Sequence, residues 1–298
     1  MPIYFSIIIP HYNIPELLIR CLKSIPVRED IQVIVVDDCS PDADTYKDRF
    51  PEFFSRPYLE WYSTPKGGSA GRARNIGLRH AKGKWILFAD SDDFFVPNMY
   101  EMIFSHRNDD ADAIFFKADS VDTITLEPSD RHIGRNESID AYIKGTHNCV
   151  EAILKYTVVW ATMYSVELIR KNNIIFEETL CGNDVIFAVK AAYLAKKPSF
   201  NKQHLYIVTY RKNSLHDNKQ KDYRSYVVYQ GVKARLDRYC LQNLINYRVP
   251  VCVMRDLYQT YAKFGLHATA LQLRLALKDR TLFVGFKEYL HRKLHKTE

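Results

Sequence analysis

The stretch Trp85-Ile-Leu-Phe-Ala-Asp-Ser-Asp-Asp93 decides the fold. Its first five residues are apolar without a break, the pattern of a strand buried on both faces. Three carboxylates follow within four positions. In open α/β sheets ligands sit just beyond the carboxyl ends of the strands, which is where this acid falls. Like charges this close raise one another's pKa unless a cation joins them. A hard divalent cation, Mg²⁺ or Mn²⁺, suits such oxygen donors and would also grip a substrate phosphate. On an extended backbone Asp90 and Asp92 would point the same way. A plainer alternative is a helix N-terminus, with Ser91 or Asp92 as the cap and Pro97 opening the helix.

Working outward, the same grammar recurs. Phe5-Ser-Ile-Ile-Ile9 reads as a buried strand ended by Pro10, and Asn13 is placed to cap a helix with Pro15 near its start. Ile31-Gln-Val-Ile-Val-Val36 is a further strand, running into Asp37 and Asp38 and then a turn at Cys39-Ser-Pro-Asp42. A strand within 57–62, a loop 64–69 and a helix over 70–82 precede the central strand. Strand and helix alternate with short connections, which predicts an α/β fold with a mostly parallel open sheet flanked by helices. Beyond residue 110 the order weakens. Strands are expected at 113–116, 121–126, 158–164 and 205–210. Helices are expected at 165–172 and 183–195, the latter starting at Asp184. From 222 onward the chain reads as helical over 222–246, 250–265 and 268–295, broken at Pro250 and Gly265. The expected division is a catalytic domain at 1–215, with a nucleotide-binding half at 1–110 and an acceptor half at 111–215, then a helical basic region at 216–298.

Composition narrows the class. The apolar fraction of 47% is ordinary for a globular protein. No apolar run approaches the roughly 20 residues of a membrane span. The first ten residues read as a strand and not as a signal peptide. The six cysteines form no Cys-x-x-Cys pair, so neither a zinc site nor a disulfide framework is suggested, and a reducing cytoplasm is the expected setting. The net charge of +7 is uneven: residues 199–298 hold 19 Lys/Arg against seven Asp/Glu. Such a basic third could face nucleic acid, an anionic lipid surface or an acidic substrate.

Five stretches together carry a resemblance. Ser6-Ile-Ile-Ile-Pro-His-Tyr-Asn13, Val35-Val-Asp-Asp-Cys-Ser40, Gly71-Arg-Ala-Arg-Asn-Ile-Gly77, the central strand with Asp90 to Asp93, and Cys181-Gly-Asn-Asp-Val-Ile-Phe187 match family-2 glycosyltransferases in order and spacing. The resemblance implies the GT-A fold, a Rossmann-like arrangement that binds a nucleotide-diphospho-sugar. It implies that Pro10 and Tyr12 line the base and that Asp38 accepts its ring N–H, as an ionised carboxylate can. It also implies that Arg74 approaches the diphosphate with Asn75 in support, that Asp90 holds the ribose, and that Asp92 binds the Mn²⁺ or Mg²⁺ bridging the phosphates. Asp184 resembles the catalytic base, preceded here by Asn183 where the family more often has Glu. His11 and Cys39 also depart from the pattern, which more usually has an apolar residue and Gly there.

The reading is a metal-dependent inverting hexosyltransferase-type enzyme. It would move a sugar from a nucleotide diphosphate, with UDP the carrier by resemblance, to a glycan or lipid-linked hydroxyl in surface polysaccharide synthesis. A sugar-1-phosphate nucleotidyltransferase is the alternative enzyme. It calls for a Gly-rich basic loop after the first strand, where this chain has Pro10-His-Tyr-Asn13. A nucleic-acid-binding module built on the basic third is the non-enzymatic alternative, and periodic apolar residues there argue for core instead, so no nucleic acid is expected. The tail from Ala270 to Glu298 combines Lys/Arg with leucines at spacings of three and four. It is either a helix lying on an anionic membrane surface, making the enzyme peripheral, or a helix packed on the core.

Overall fold

Phe5 to His11 are buried without exception, and they form the strand β1 around which the sheet is laid. The computed structural model describes residues 1–210, 222–243, 245, 253–284 and 286. β1 is flanked by β2 (Ile31–Asp37) and β4 (Trp85–Phe88), and β3 (Leu59–Ser63) lies outside β2; all three pairings are parallel. Beyond β4 the sheet continues through β7 (Thr162–Ser165), β6 (Ala113–Asp122), β8 (Pro198–Tyr210) and the two-residue β5 (Phe94–Phe95). β4–β7, β7–β6 and β8–β5 are antiparallel, and β6–β8 is parallel.

The two-residue period of the strands sorts their side chains onto two cores. Phe5, Ile7, Ile9, Val33, Val35, Trp85 and Leu87 face one layer, against Leu18 and Leu22 of α1 (Pro15–Lys23). Ile8, Ile34, Val36, Ile86 and Phe88 face the other, against Ala73 and Ile76 from a second long helix, Ala70–His80. That helix is α4, after the short α2 (Tyr46–Arg49) and α3 (Pro51–Phe54). A methyl at Gly77 would come within 2.4 Å of Ile8 Cγ2, so only glycine lets α4 lie this close to β1. The remaining helices of this part are α5 (Met99–Ser105), α6 (Ile133–Ile143), α7 (Cys149–Lys155), α8 (Val166–Lys171) and α9 (Val185–Leu194).

Several local expectations are corrected. Asn13 does not cap α1: its φ of 52° is left-handed, its N–H donates to Ser40 Oγ, and Ile14 is the N-cap. A single strand, 113–122, takes the place of the two expected at 113–116 and 121–126. β6 ends at Asp122, whose Oδ1 accepts the N–H groups of Ile124 and Thr125 in a side-chain-closed turn. Strand 158–164 starts late, because Ala161 sits at a φ of 51° and pairing begins at Thr162. Ser165, by contrast, does cap α8, accepting the Leu168 N–H.

The chain divides into two compact units, Met1–Glu178 with Phe187–Arg211, and Thr179–Ile186 with Lys212–Glu298. The second holds α10 (Tyr223–Gln242), capped by Asp222, and α11 (Val253–Lys278), broken at Gly265 where φ is 77°. Ala234, Val253 and Ala276 form its small core with Leu282 and Val284, and Arg235 pairs with Asp279. The helix expected to run to 295 ends at Lys278. Arg280 takes a left-handed φ of 54°, its N–H bonds Leu277 O, and the Thr281 N–H bonds Ala276 O. This is a Schellman stop made without glycine, so the sequence does not announce it. Pro250 and the tail residues Lys287, Arg292, Lys293 and Lys296 lie outside the described residues.

Candidate active site

β1, β2 and β4 finish side by side, which puts Pro10 to Tyr12, Asp37–Asp38 and Asp90 to Asp93 along one edge of the sheet. β4 pairs β1 only as far as Ile8, so Pro10, which lacks an N–H, stands where no ladder bond to β4 is required. Tyr12 follows with 57% of its surface exposed, leaving a ring face open at the strand end.

Asp37 and Asp38 are both buried, and each is spent on local structure. Asp37 Oδ1 takes His11 Nδ1 at 2.9 Å and the Ser40 hydroxyl at 2.5 Å, while Oδ2 takes the Ser40 N–H at 2.8 Å. His11 Nε2 accepts the Ile14 N–H, which leaves the ring proton on Nδ1, pointing at Asp37. Burial alone pushes the Asp37 carboxyl up, but the bonds from His11 and Ser40 outweigh it and hold it below the ordinary range. His11 thus serves a carboxylate that an apolar residue could not. Asp38 pins the next loop: Thr64 donates to Oδ1 at 2.8 Å, and the N–H groups of Gly68 and Ser69 donate to Oδ2 at 2.9 and 2.7 Å. An ionised carboxylate has about four acceptor positions, so one remains on Oδ1. Cys39, between them and Ser40, has a φ of 64°, the backbone that favours glycine.

Asp90 to Asp93 form a tight turn, with the Asp93 N–H on Asp90 O, and neither an extended run nor a helix start. The next helix begins only at Met99, with Asn98 as N-cap, so the capping alternative for Ser91 and Asp92 does not hold. Asp90 Oδ1 accepts Arg74 Nη2 at 2.5 Å and stays 30% exposed; Arg74 is buried and also lies over the Phe176 ring. Asp92 is half-buried, and its carbonyl takes Arg20 Nη2 at 2.7 Å and the Thr209 hydroxyl at 3.0 Å. Asp93 is buried: Thr209 N–H donates to Oδ1 at 2.7 Å, while Oδ2 has no hydrogen-bond partner. Burial first, then the charges of Asp92 and Asp90, drive the Asp93 carboxyl well above its ordinary range. Burial works to lower Arg131, but attraction to Asp93, Asp90 and Asp92 prevails and raises it. Arg131 in turn bonds the Thr209 carbonyl, and the Asp90 N–H donates to the buried Tyr206 hydroxyl at 2.8 Å.

Arg20, Arg131, Tyr206 and Thr209 are therefore the residues that sequence reasoning missed. Arg20 reads as an ordinary cation in the last turn of a helix, and the others come from elements with no spacing relation to the acidic turn. Asn75 is in place but faces inward. Its side chain exchanges two bonds with the Phe176 backbone, at 3.0 and 2.9 Å, and so fastens α4 to the chain after α8. Asn183 and Asp184 lie just before α9, within the second compact unit; Asn183 is buried and donates to Thr179 O.

For a divalent cation the donor set is hard oxygen, from two adjacent partly exposed carboxylates, Asp90 and Asp92. Among the described residues no group of three or more His, Cys, Asp or Glu is arranged to hold a metal ion. That combination fits a Mg²⁺-like ion carried by one or two carboxylates and substrate phosphates, and does not fit an all-protein cage.

A mixed α/β sheet with acid at its strand ends is the arrangement expected of the GT-A fold. A model of "Glycosyl transferase family 2" matches residues 6–169, more than half the chain, and the chain belongs to that family. Over 97% of its length it is 26% identical to the uncharacterized glycosyltransferase YibD of Escherichia coli K12, covering 86% of that protein. Over 71% it is 26% identical to the poly(ribitol-phosphate) beta-N-acetylglucosaminyltransferase TarS of Staphylococcus aureus Mu50, of which it spans 36%. Its fold is similar to that of S. aureus TarS 1–349 in complex with UDP-GlcNAc. The TM-score is 0.57 at 21% identity, over 78% of this chain and 66% of that one. The mannosyltransferase PcManGT from Pyrobaculum calidifontis, in complex with GDP-Man and Mn²⁺, has a TM-score of 0.54 at 16% identity, over 93% of this chain and 75% of that one.

Proposed function

We propose that this glycosyltransferase moves a sugar from a UDP-sugar to a hydroxyl of a glycan acceptor, with inversion at the anomeric carbon, in surface polysaccharide synthesis. The observation that carries the reading is the pairing of partly exposed Asp90 with buried Arg74 at the end of β4, with half-buried Asp92 two positions on and the exposed Tyr12 ring on the same sheet edge. The UDP-GlcNAc complex of TarS supports the choice of donor, and the polymer named for TarS supports the choice of acceptor class.

In this reading Tyr12 and Pro10 offer an apolar face to the base, and the remaining Oδ1 position of Asp38 accepts its ring N–H. Asp90 holds the ribose hydroxyls. Arg74, kept in place by Asp90 and Phe176, faces the diphosphate. Asp92, with Asp90 behind it, would hold Mn²⁺ or Mg²⁺, which when bound offsets charge developing on the departing diphosphate. Arg20 and Thr209 position Asp92 by holding its carbonyl, so the carboxylate is presented by the turn and not by its own rotamer alone. Asp184 takes the proton from the acceptor hydroxyl as that oxygen attacks the anomeric carbon. The sugar passes through an oxocarbenium-like state, and the bond to the nucleotide phosphate breaks on the opposite face.

The test is a transfer and hydrolysis screen of UDP-GlcNAc, UDP-glucose and GDP-mannose with Mn²⁺ or with EDTA. UDP-sugar turnover that needs the metal is expected; turnover of GDP-mannose alone, or equal turnover in EDTA, would overturn the donor or metal assignment. Asp184→Asn should lower kcat by roughly 10² to 10⁴ with donor KM unchanged, the usual contribution of a positioned base. A raised donor KM with kcat intact would assign Asp184 to the donor pocket instead.

A further inference from the structure

Helix α11 carries large apolar residues on its exposed side as well as its packed one. Toward α10 and its own core it turns Val253, Asp256, Thr260, Ala268, Gln272 and Ala276, mostly small or polar. Leu257, Phe264, Leu271 and Leu275 are half-buried, with Phe264 against Tyr226 of α10, while Met254, Tyr258 and Tyr261 before the break at Gly265, and Leu266, Leu273 and Leu277 after it, stand outside. Tyr258 is 72% and Leu266 75% exposed. At 3.6 residues per turn, positions 254, 258 and 261 fall on one stripe, and positions 266, 273 and 277 on another, so each half of the helix carries its own continuous exposed band.

The charges on the same surface have one sign. Arg255, Arg274 and Lys278 are exposed and flank the apolar bands, while Lys263 lies over the Tyr226 ring of α10. The two acids of this helix and its end are withdrawn: Asp256 is buried, and Asp279 pairs with Arg235. Helical apolar bands with tyrosine and leucine, bordered by Lys and Arg and free of exposed acid, have the composition of a helix seated in the headgroup layer of a bilayer. No helix among the described residues is long and apolar enough to cross one. A second copy of this chain would bring cations against cations, which charge complementarity disfavours.

We propose that the exposed face of residues 266–278, after the break at Gly265, docks the protein on an anionic lipid surface, the leucine side chains entering the interface and Arg274 and Lys278 meeting lipid phosphate. The face stands independently of the donor-site reading. It overlaps the expected membrane tail, 270–298, at residues 270–278.

The full-length protein is tested by sedimentation with vesicles of phosphatidylcholine alone and with about a third phosphatidylglycerol, at about 50 and about 500 mM salt. Binding to the anionic vesicles at low salt, weakened at high salt, is expected. The variant Leu266→Gln/Leu273→Gln/Leu277→Gln changes only exposed helix positions to a good helix former, so circular dichroism should be unchanged while vesicle binding falls roughly tenfold or more. Arg274→Glu/Lys278→Glu should abolish the preference for anionic lipid. No sedimentation of the wild type, or undiminished binding by the leucine variant, overturns the proposal. So does a wild-type dimer in light scattering that the leucine variant dissociates without any vesicle binding, which would give the face to a second copy. UDP-sugar hydrolysis by the leucine variant reports separately on the donor site.

Discussion

Two parallel strands on either side of β1 end in acid, and they use it in opposite ways. At the end of β2 every oxygen of Asp37 and Asp38 is engaged by the protein itself, by His11, Ser40, Thr64 and the Gly68–Ser69 backbone. At the end of β4 the protein holds mainly the backbone of the turn, through Arg20, Thr209 and Tyr206, sets Arg74 against the Asp90 carboxylate, and keeps Asp90 and Asp92 partly exposed. Adjacent carboxylates repel, and the two sites answer that repulsion differently. The first supplies donors from within, which stabilises a loop. The second keeps two carboxylates partly exposed, where a ligand can reach them. An acidic doublet at a strand end is therefore not one motif, and the difference lies in what the flanking elements donate.

Substitutions should separate the two. The largest effect is expected from Asp92→Asn, which removes charge from the exposed site without removing volume. Transfer should fall about 10³-fold or more, the scale of several kcal/mol of charge stabilisation at a phosphate leaving group. Thermal stability should stay equal or rise as repulsion with Asp93 is relieved. Loss of the fold would place Asp92 with the structural pair and break the contrast.

Asp37→Ala should do the reverse, lowering unfolding free energy by about 3 kcal/mol, because His11 and the Ser40 groups are left buried without their acceptor. Denaturant unfolding measures it, and a change under about 0.5 kcal/mol would count against the assignment. The pH dependence sharpens the point. The Asp37 carboxyl is held below its ordinary range in the folded protein, while the unfolded chain titrates near 3.9. The unfolded state therefore binds more protons in acid. The contribution is complete above about pH 5 and drains away as pH falls through the folded value. Melting temperature followed from pH 7 to pH 3 should drop more steeply for the wild type than for Asp37→Asn.

The smallest of these effects belongs to Asp38→Asn. It keeps an acceptor for Thr64 but weakens two charge-assisted bonds to Gly68 and Ser69, so about 1–2 kcal/mol of stability and a raised donor KM are expected together. A change in stability with KM untouched would confine Asp38 to the loop and remove it from the base site.

The contrast also marks how far the sequence could be read. β1, β2 and β4 were legible because unbroken apolar runs allow little else, and the strand-end clusters followed from them. That Asp37 serves His11 was not legible, since it depends on the register that sets residue 11 against residue 37. The cradle of the acidic turn was hidden for the same reason: Arg20 and Thr209 reach Asp92 across 72 and 117 positions. The stop at Lys278 was invisible because an arginine occupies the left-handed position. Local pattern reports which segments are buried, and tertiary donors decide which carboxylates remain for chemistry.

The central claim is that Asp92, presented by this turn, joins a divalent ion to a nucleotide diphosphate. Isothermal titration of UDP into the wild type and Asp92→Asn, each with Mn²⁺ and with EDTA, addresses it without an acceptor. The account predicts at least about tenfold tighter UDP binding with Mn²⁺ than with EDTA for the wild type, equivalent to about 1.4 kcal/mol, and no such difference for the variant. Equal wild-type affinity in Mn²⁺ and EDTA, or a full metal effect retained by Asp92→Asn, would contradict it.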